Sequence, residues 1–426
     1  EFKGFTKMAR NRVIYQSQAV YCTQTAYDSD LTASGDIAQL DRIQSANYSF
    51  TVGRTDVNQF GDLAAIDRII TESPTVSFDT SYYLANFYNE NRLGFNVTPS
   101  GGTSHQSAIT DIIDSAKAAH QKNYFILTTK EGKDANADYT SGDYESIIGV
   151  GNAFITNYSS EAAVGGLPTV SVSAEGQNMN FVNLPYTAPG AGPNAGFVTG
   201  VGNNGGNTLT RISGESPAIN ASNGSELGQR VTLPVAQSNL ASTGSATIAS
   251  LRPGDITLTL AAKANDTVGP TTANTNSLPT DYAGTSIDDA HIQSYTLGFD
   301  LGRTPIEKLG SKFAFARVVD FPVTVSLSID AVLADLTSGS LAQIIDCDAE
   351  YDARIAIKDP VCGGATQSVV CNYIVKGLKV DSQSFTSSIG DNKSVTLDFS
   401  AQIGGPNQSG MGVFMSGDAG IGGGLG

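Results

Sequence analysis

The chain of 426 residues has no tryptophan, three histidines and four cysteines, and only 15% of it is charged. Three histidines (His105, His120, His291) leave little for acid-base or zinc chemistry. No H-E-x-x-H, G-x-S-x-G or phosphate loop ending in Gly-Lys-Ser/Thr occurs. Cys22, Cys347, Cys362 and Cys371 are too few and too unevenly spaced for a disulfide framework. They read as free thiols; the alternatives are a Cys362–Cys371 pair across a hairpin at Gly363 and Gly364, or links between subunits. No run of 18 apolar residues and no apolar export signal is visible, so the expectation is a soluble protein made in the cytoplasm. The 25 basic against 41 acidic residues leave a net charge of −16, which disfavours clamping of nucleic-acid phosphates.

With few charges, the surface must be covered by Ser, Thr, Asn, Gln and Gly. Gly 46 and Pro 15 are ordinary totals, so wholesale disorder is not expected. The length is that of two to three domains, each able to bury a core.

An internal repeat organises the chain. Residues 43–84 align without a gap on residues 292–333 at an offset of 249, with 14 of 42 positions identical. The identities include Phe50, Gly53, Arg54, Thr55, Gly61, Arg68, Thr75, Val76 and Ser77, and many differences keep physical type, such as Phe60 with Leu309. Each copy reads as strand, Gly-Arg-Thr, Gly-terminated loop and strand, then a short amphipathic helix. The first helix places Ile109, Ile112, Ile113 and Ala116 on one face with Ser107 as cap; the second places Leu341, Ile344 and Ile345 on one face with Ser340 as cap. Further strands are expected at 124–129, 146–158 and 169–174 in the first half, and at 230–234, 255–261, 354–358, 369–380 and 394–403 in the second. The expected fold is mainly β: two tandem antiparallel β-sandwich domains, each with one flanking short α-helix. The boundaries are 1–200, 201–408 with a long loop or arm near 265–285, and a Gly-rich C-terminal tail at 409–426.

Motif matches are weak. Gly200, Gly202 and Gly205 fit G-x-G-x-x-G without a flanking βαβ unit and read as a turn. Asp28, Asp30 and Asp36 stand without the glycine spacing and terminal Glu of a calcium loop and read as solvated turn carboxylates. His120 reads as the end of the first helix, where a positive charge suits the dipole. No catalytic, cofactor-binding or metal-binding residue is assigned, no cofactor is expected, and the chain reads as a non-enzyme. The repeated Arg54 and Arg303 carry two open readings: a bond to carbonyls or a carboxylate in their own domain, or a contact to a neighbouring subunit.

Four stretches carry a family resemblance: RIQSANYSFTVGRTDVNQFG (42–61), GNAFITNYSSEAAVGGLPTVSVSAEGQNM (151–179), LRPGDITLTL (251–260) and IQSYTLGFDLGRTPIEKLGSKF (292–313). They resemble tail tube proteins of tailed bacteriophages, of the duplicated two-domain type. The resemblance implies a structural virion protein, assembled in the host bacterial cytoplasm and resident in the tail. Its inner sheets would join around a ring, and stacked rings would conduct DNA from capsid to host. Two domains per chain imply a homotrimer with pseudo-sixfold symmetry. Implied partners are further copies of the chain, and tape measure, sheath, terminator or baseplate proteins, with transient non-specific passage of DNA and no membrane insertion. Ring-stacking contacts are expected at Arg54, Phe60, Gly61, Arg303, Leu309 and Gly310. The competing readings are a ring-forming baseplate or terminator part and a non-enzymatic carbohydrate-binding or adhesin-like β protein.

Overall fold

A computed structural model describes residues 18–24, 37–99, 106–129, 144–183, 253–262, 290–307, 316–333, 350–358, 369–386, 394–405 and 410–417. It also describes 208–210, 228–230 and the single positions 131, 135, 251, 309 and 314. The described chain is mainly β and antiparallel. Strands of the first half are β1 (Gln18–Thr23), β2 (Ile37–Gln39), β3 (Ile43–Thr51), β4 (Arg54–Val57), β5 (Asp67–Ile70), β6 (Thr75–Tyr83), β7 (Val97–Pro99), β8 (Lys122–Thr129), β9 (Tyr144–Ala163), β10 (Thr169–Gly176) and β11 (Asn178–Asn183). Then follow β12 (Thr208–Thr210), β13 (Gly228–Arg230), β14 (Ile256–Ala262), β15 (Ala290–Asp300), β16 (Arg303–Ile306), β17 (Ala316–Val319), β18 (Val323–Leu333), β19 (Tyr351–Lys358), β20 (Val369–Thr386), β21 (Ser394–Ile403) and β22 (Gly412–Gly417). Two short helices, α1 (Tyr88–Leu93) and α2 (Thr110–Ile113), lie in the first half.

Period-two alternation forms the central sheet. In β6, Val76, Phe78, Thr80 and Tyr82 are buried while Ser77, Asp79, Ser81 and Tyr83 alternate with them; β21 repeats the pattern with Val395, Leu397, Phe399 and Ala401. The strand order is β3-β6-β10-β9-β15-β18-β21-β20. The long strands β9 and β20 each serve two sheets. Their C-terminal parts lie in the central sheet; their N-terminal parts pair with β8 and β11, and with β19 and β22, respectively. Those flanking sheets pack on the apolar side of the central one, as the Phe78–Tyr124 stack (4.8 Å) and the Tyr351–Phe399 edge contact (6.3 Å) show. β8 is buried along its whole length, the expected consequence of an unalternated YFIL run covered on both faces.

The duplication extends through the pairing registers. Offset 249 relates β6 to β18, and their partners then place β10 on β21 and β9 on β20 at a shift of 225. Even the bulges coincide: Thr156 of β9 falls on Asp381 of β20, and Gln44 of β3 on Gln293 of β15. The two halves share one hydrophobic core.

Three expectations change. The first helix is only Thr110–Ile113, with Ile109 rather than Ser107 as cap. Asp114 turns extended and its carboxylate accepts the Ala116 N–H at 3.0 Å, stopping the helix before Ala116, so that His120 lies beyond its end in sequence. The helix expected near Leu341, Ile344 and Ile345 lies outside the described residues, as do the 265–285 loop, Cys347 and Cys362. Part of the expected tail is a strand instead: β22 is buried throughout, because Val413, Phe414 and Met415 supply apolar side chains amid the glycines. It pairs with β20 and, in parallel, with β7 of the first half. The helix missed by the sequence pattern, α1, ends where Gly94 takes φ 105°; a Cβ there would sit 2.7 Å from that of Ala119, so glycine is needed twice over. No helix among the described residues is long and apolar enough to cross a membrane.

Candidate functional site

The outer face of the central sheet is a field of mostly small polar side chains, broken at one end by Phe154 opposite Glu175. One row across the strands reads Ser45, Ser81, Ser171, Ser159, Gly298, Ser326 and Ser400; the next reads Tyr83, Thr169, Glu161, Thr296, Ser328, Asp398 and Ser382. Hydroxyls bond each other or carboxylates along it, as in Ser49–Ser77 (2.7 Å), Ser294–Asp330 (2.8 Å) and Ser328–Asp398 (2.7 Å). Asp79, Glu161, Glu175, Asp300, Asp330 and Asp398 lie on this face; Lys379 is the one described Lys or Arg on its strands, and Arg317 of β17 reaches it to pair with Glu175. Donation from Ser382 and Ser328 holds the Asp398 carboxyl below its usual range, so it stays ionised in neutral solution. Such a surface presents acceptors and negative charge, and no cation array that would grip phosphate.

Two hairpins flank this sheet. The first, β4–β5, carries Arg54, Phe60 and Gly61; the second, β16–β17, carries Arg303 and Leu309. Phe60 (108% exposed) and Leu309 (105%) project fully into solvent at equivalent positions, beside exposed Leu63, Ile66, Ile69, Ile70 and Val318. Gly61 holds φ 99° in open space, which lets the turn form. Gly310 lies outside the described residues. The hairpins meet where Glu307 accepts the Ser73 N–H (3.2 Å) and hydroxyl (2.6 Å).

The two arginines part company. Arg54 is exposed; Arg303 is 8% exposed. Arg303 lies 4.8 Å over the Phe154 ring and donates to the Arg317 carbonyl and to the Ile112 carbonyl, both at 3.3 Å. Arg317 belongs to its own half, whereas Ile112 and Phe154 belong to the first, so Arg303 bonds a carbonyl of its own half, as one of its two readings has it, and also reaches across to the other half of the same chain. Burial, aided by Arg317, lowers its pKa to about 10. His120 also differs from expectation. Its Nδ1 lies 2.9 Å from the same Ile112 carbonyl, which requires that nitrogen to carry the proton, and burial lowers its pKa, so the ring is uncharged at neutral pH.

No protein-family model matches the chain, and no curated protein matches it.

The joint between halves was not legible in the sequence. There β9 pairs with β15 from Asn157 opposite Asp300 to Ala163 opposite Ser294. Beneath it, Tyr158 stacks on Phe299 (5.2 Å, 17°) and its hydroxyl meets that of Tyr373 at 2.7 Å. Glu90, wholly buried on α1, accepts from Tyr82 (2.9 Å) and Tyr158 (3.3 Å). Burial pushes its carboxyl up to about 7 despite those donors. Cys371 is buried nearby, its thiol donating to the Ala85 carbonyl at 3.6 Å. Among the described residues no group of three or more His, Cys, Asp or Glu is placed to hold a metal ion. The signal for the polar face was present in the alternating Ser and Thr of β6, β10, β18 and β21; their shared side follows only from register.

Proposed function

We propose that the chain is a structural protein of a bacteriophage tail, forming trimeric rings that stack into a tube through which DNA passes. The observation that carries this reading is the joint of β9 with β15: one sheet continues from repeat to repeat with a single polar, acidic face, so the chain holds two consecutive units of a wall. Six such units from three chains surround a channel with the polar face inward. Three copies at −16 each carry −48, and a wall with scarcely any cations releases phosphates as readily as it meets them. The exposed apolar ends of the hairpins, Phe60 and Leu309, serve the stacking of ring on ring.

Negative-stain electron microscopy of concentrated protein, with the mass measured in dilute solution, tests the reading. Hollow filaments with three chains per ring are expected. Phe60→Asp combined with Leu309→Asp should leave rings but no filaments. Wild-type protein that forms only finite rings would favour a terminator or baseplate part, and protein that never associates would refute the proposal.

A further inference from the structure

Among the described residues, the central sheet ends in two strands that each have a neighbour on one side only. On one side is β3; on the other is the Lys379–Thr386 part of β20, which pairs with β21 and with no second strand among the described residues. These edges are the counterparts of the two strands already joined inside the chain. Offset 249 carries β15 onto β3, and the shift of 225 carries the C-terminal part of β9 onto that of β20. The chain therefore contains a template for how its outer edges fit a second copy.

Resting on the ring reading above, we infer that β20 of one copy pairs antiparallel with β3 of the next in the register of the internal joint. That register sets Ser382 opposite Thr51, Ser384 opposite Ser49, Phe385 opposite Tyr48 and Thr386 opposite Asn47. Ser382, Ser384 and Thr386 then extend the polar rows onto Thr51, Ser49 and Asn47, with no like charges opposed. The apolar side explains an anomaly. Phe299 is 3% exposed at the internal joint, while its counterpart Phe50 is 61% exposed; Leu297 is wholly buried, while its counterpart Tyr48 is half-buried. Phe385, 53% exposed, stands where buried Ser160 stands inside. A neighbour in this register lays Phe385 against Tyr48 and Phe50, burying three aromatic rings at once. Because the two edges differ, the contact is head-to-tail, the arrangement that closes rings rather than pairing two copies face to face.

Cysteine pairs test the register. Directly opposite residues in antiparallel strands have Cα atoms about 4.5–5.5 Å apart, within disulfide reach. Ser159→Cys with Gly298→Cys is the internal standard; a Cβ on Gly298 meets nothing nearer than 3.4 Å. It should close within one chain and shows that the sheet is folded. Ser49→Cys with Ser384→Cys should oxidise into covalent dimers and trimers in assembled protein, and neither single variant should. Phe50→Asp should lower the assembled fraction at least tenfold with the internal standard still closing. Filaments or rings in which Ser49→Cys/Ser384→Cys stays uncrosslinked would overturn the inference and leave the ring reading standing; so would linkage by Asn47→Cys/Ser384→Cys instead. A segment of the same chain lying on either edge gives that first result. Protein that neither associates nor crosslinks overturns both.

Discussion

Replacing Glu90 with Gln should flatten the pH dependence of stability, and the size of the effect follows from the joint. Glu90 is sealed in the core with one oxygen held by two tyrosine hydroxyls and Oε2 without a hydrogen-bond partner. Its carboxyl titrates at about 7 in the folded chain, against the ordinary 4.5. A pKa raised by folding contributes stability that is fully present below 4.5 and is lost as pH rises through 7. At about 1.4 kcal/mol per pH unit, the interval from pH 5.5 to 7 removes roughly 2 kcal/mol, and the curve levels off above it. Starting at 5.5 keeps clear of the isoelectric point near 4.5, where solubility is lowest. For a chain this long, roughly 2 kcal/mol is about 2 °C in melting temperature. The variant keeps an acceptor for both tyrosines, and any cost of its new amide N–H is the same at every pH. Asp41, pushed by burial to about 6, titrates in the same window in both proteins, so the difference between them isolates Glu90. From pH 5.5 to 8 the wild-type melting temperature should fall by about 2 °C relative to the variant's, whatever constant offset separates the two at the acid end. Parallel curves would refute the reasoning.

Three further outcomes are expected. Arg303→Ala leaves the Ile112 and Arg317 carbonyls without their charged donor; after the recovered desolvation, the net loss is about 2 kcal/mol, read as a lower melting temperature. Arg54→Ala, at the equivalent but exposed position, should leave the melting temperature of dispersed protein unchanged while slowing assembly; equal losses at both sites would contradict the assignment. Ser171→Lys with Ser326→Lys adds cations to the polar face, and tubes of this variant should retain duplex DNA at 50 mM salt and release it steeply by 200 mM, where wild-type tubes retain none. Retention by both, measured by co-sedimentation, would place this face elsewhere than on the channel.

Strands were legible wherever alternation was strong: β6, β10, β19 and β21 stand where their patterns place them, because burial on one face leaves a period-two trace, and β8 was legible instead as a short unbroken apolar run. β9 and β20 extended past their expected ends, since their C-terminal parts are polar on one side and draw their support from neighbours in sheet order. α1 carries too short a pattern to announce itself, and β22 was hidden by the glycines around it. At the hairpins, Phe60 and Leu309 were found through the repeat itself. Arg54 and Arg303 were found the same way, yet identity of residue concealed a difference of environment: the repeat says that a position is used twice and cannot say that one use is inside the chain and the other at its edge. The same holds for Phe50 and Phe299.

That difference also shapes the two kinds of joint. Inside the chain, Arg317 of β17 forms an ion pair with Glu175 of β10, and Ser73 bonds Glu307, so charged contacts lock one repeat on the other. Carried to the outer joint, the same positions read Arg68 with Ser400, and Pro322 with Asn58. No carboxylate awaits Arg68 there, and within its own hairpin it pairs with Asp56 at 2.8 Å. The proposed outer joint would thus be left to backbone pairing, hydroxyl rows and an aromatic cluster of Tyr48, Phe50 and Phe385. Such contacts are largely indifferent to salt, whereas exposed ion pairs are screened by it. On the proposed ring, a chain built this way would act as one preformed two-repeat block, its assembly governed by apolar burial and its two edge strands different enough that each would meet only the other.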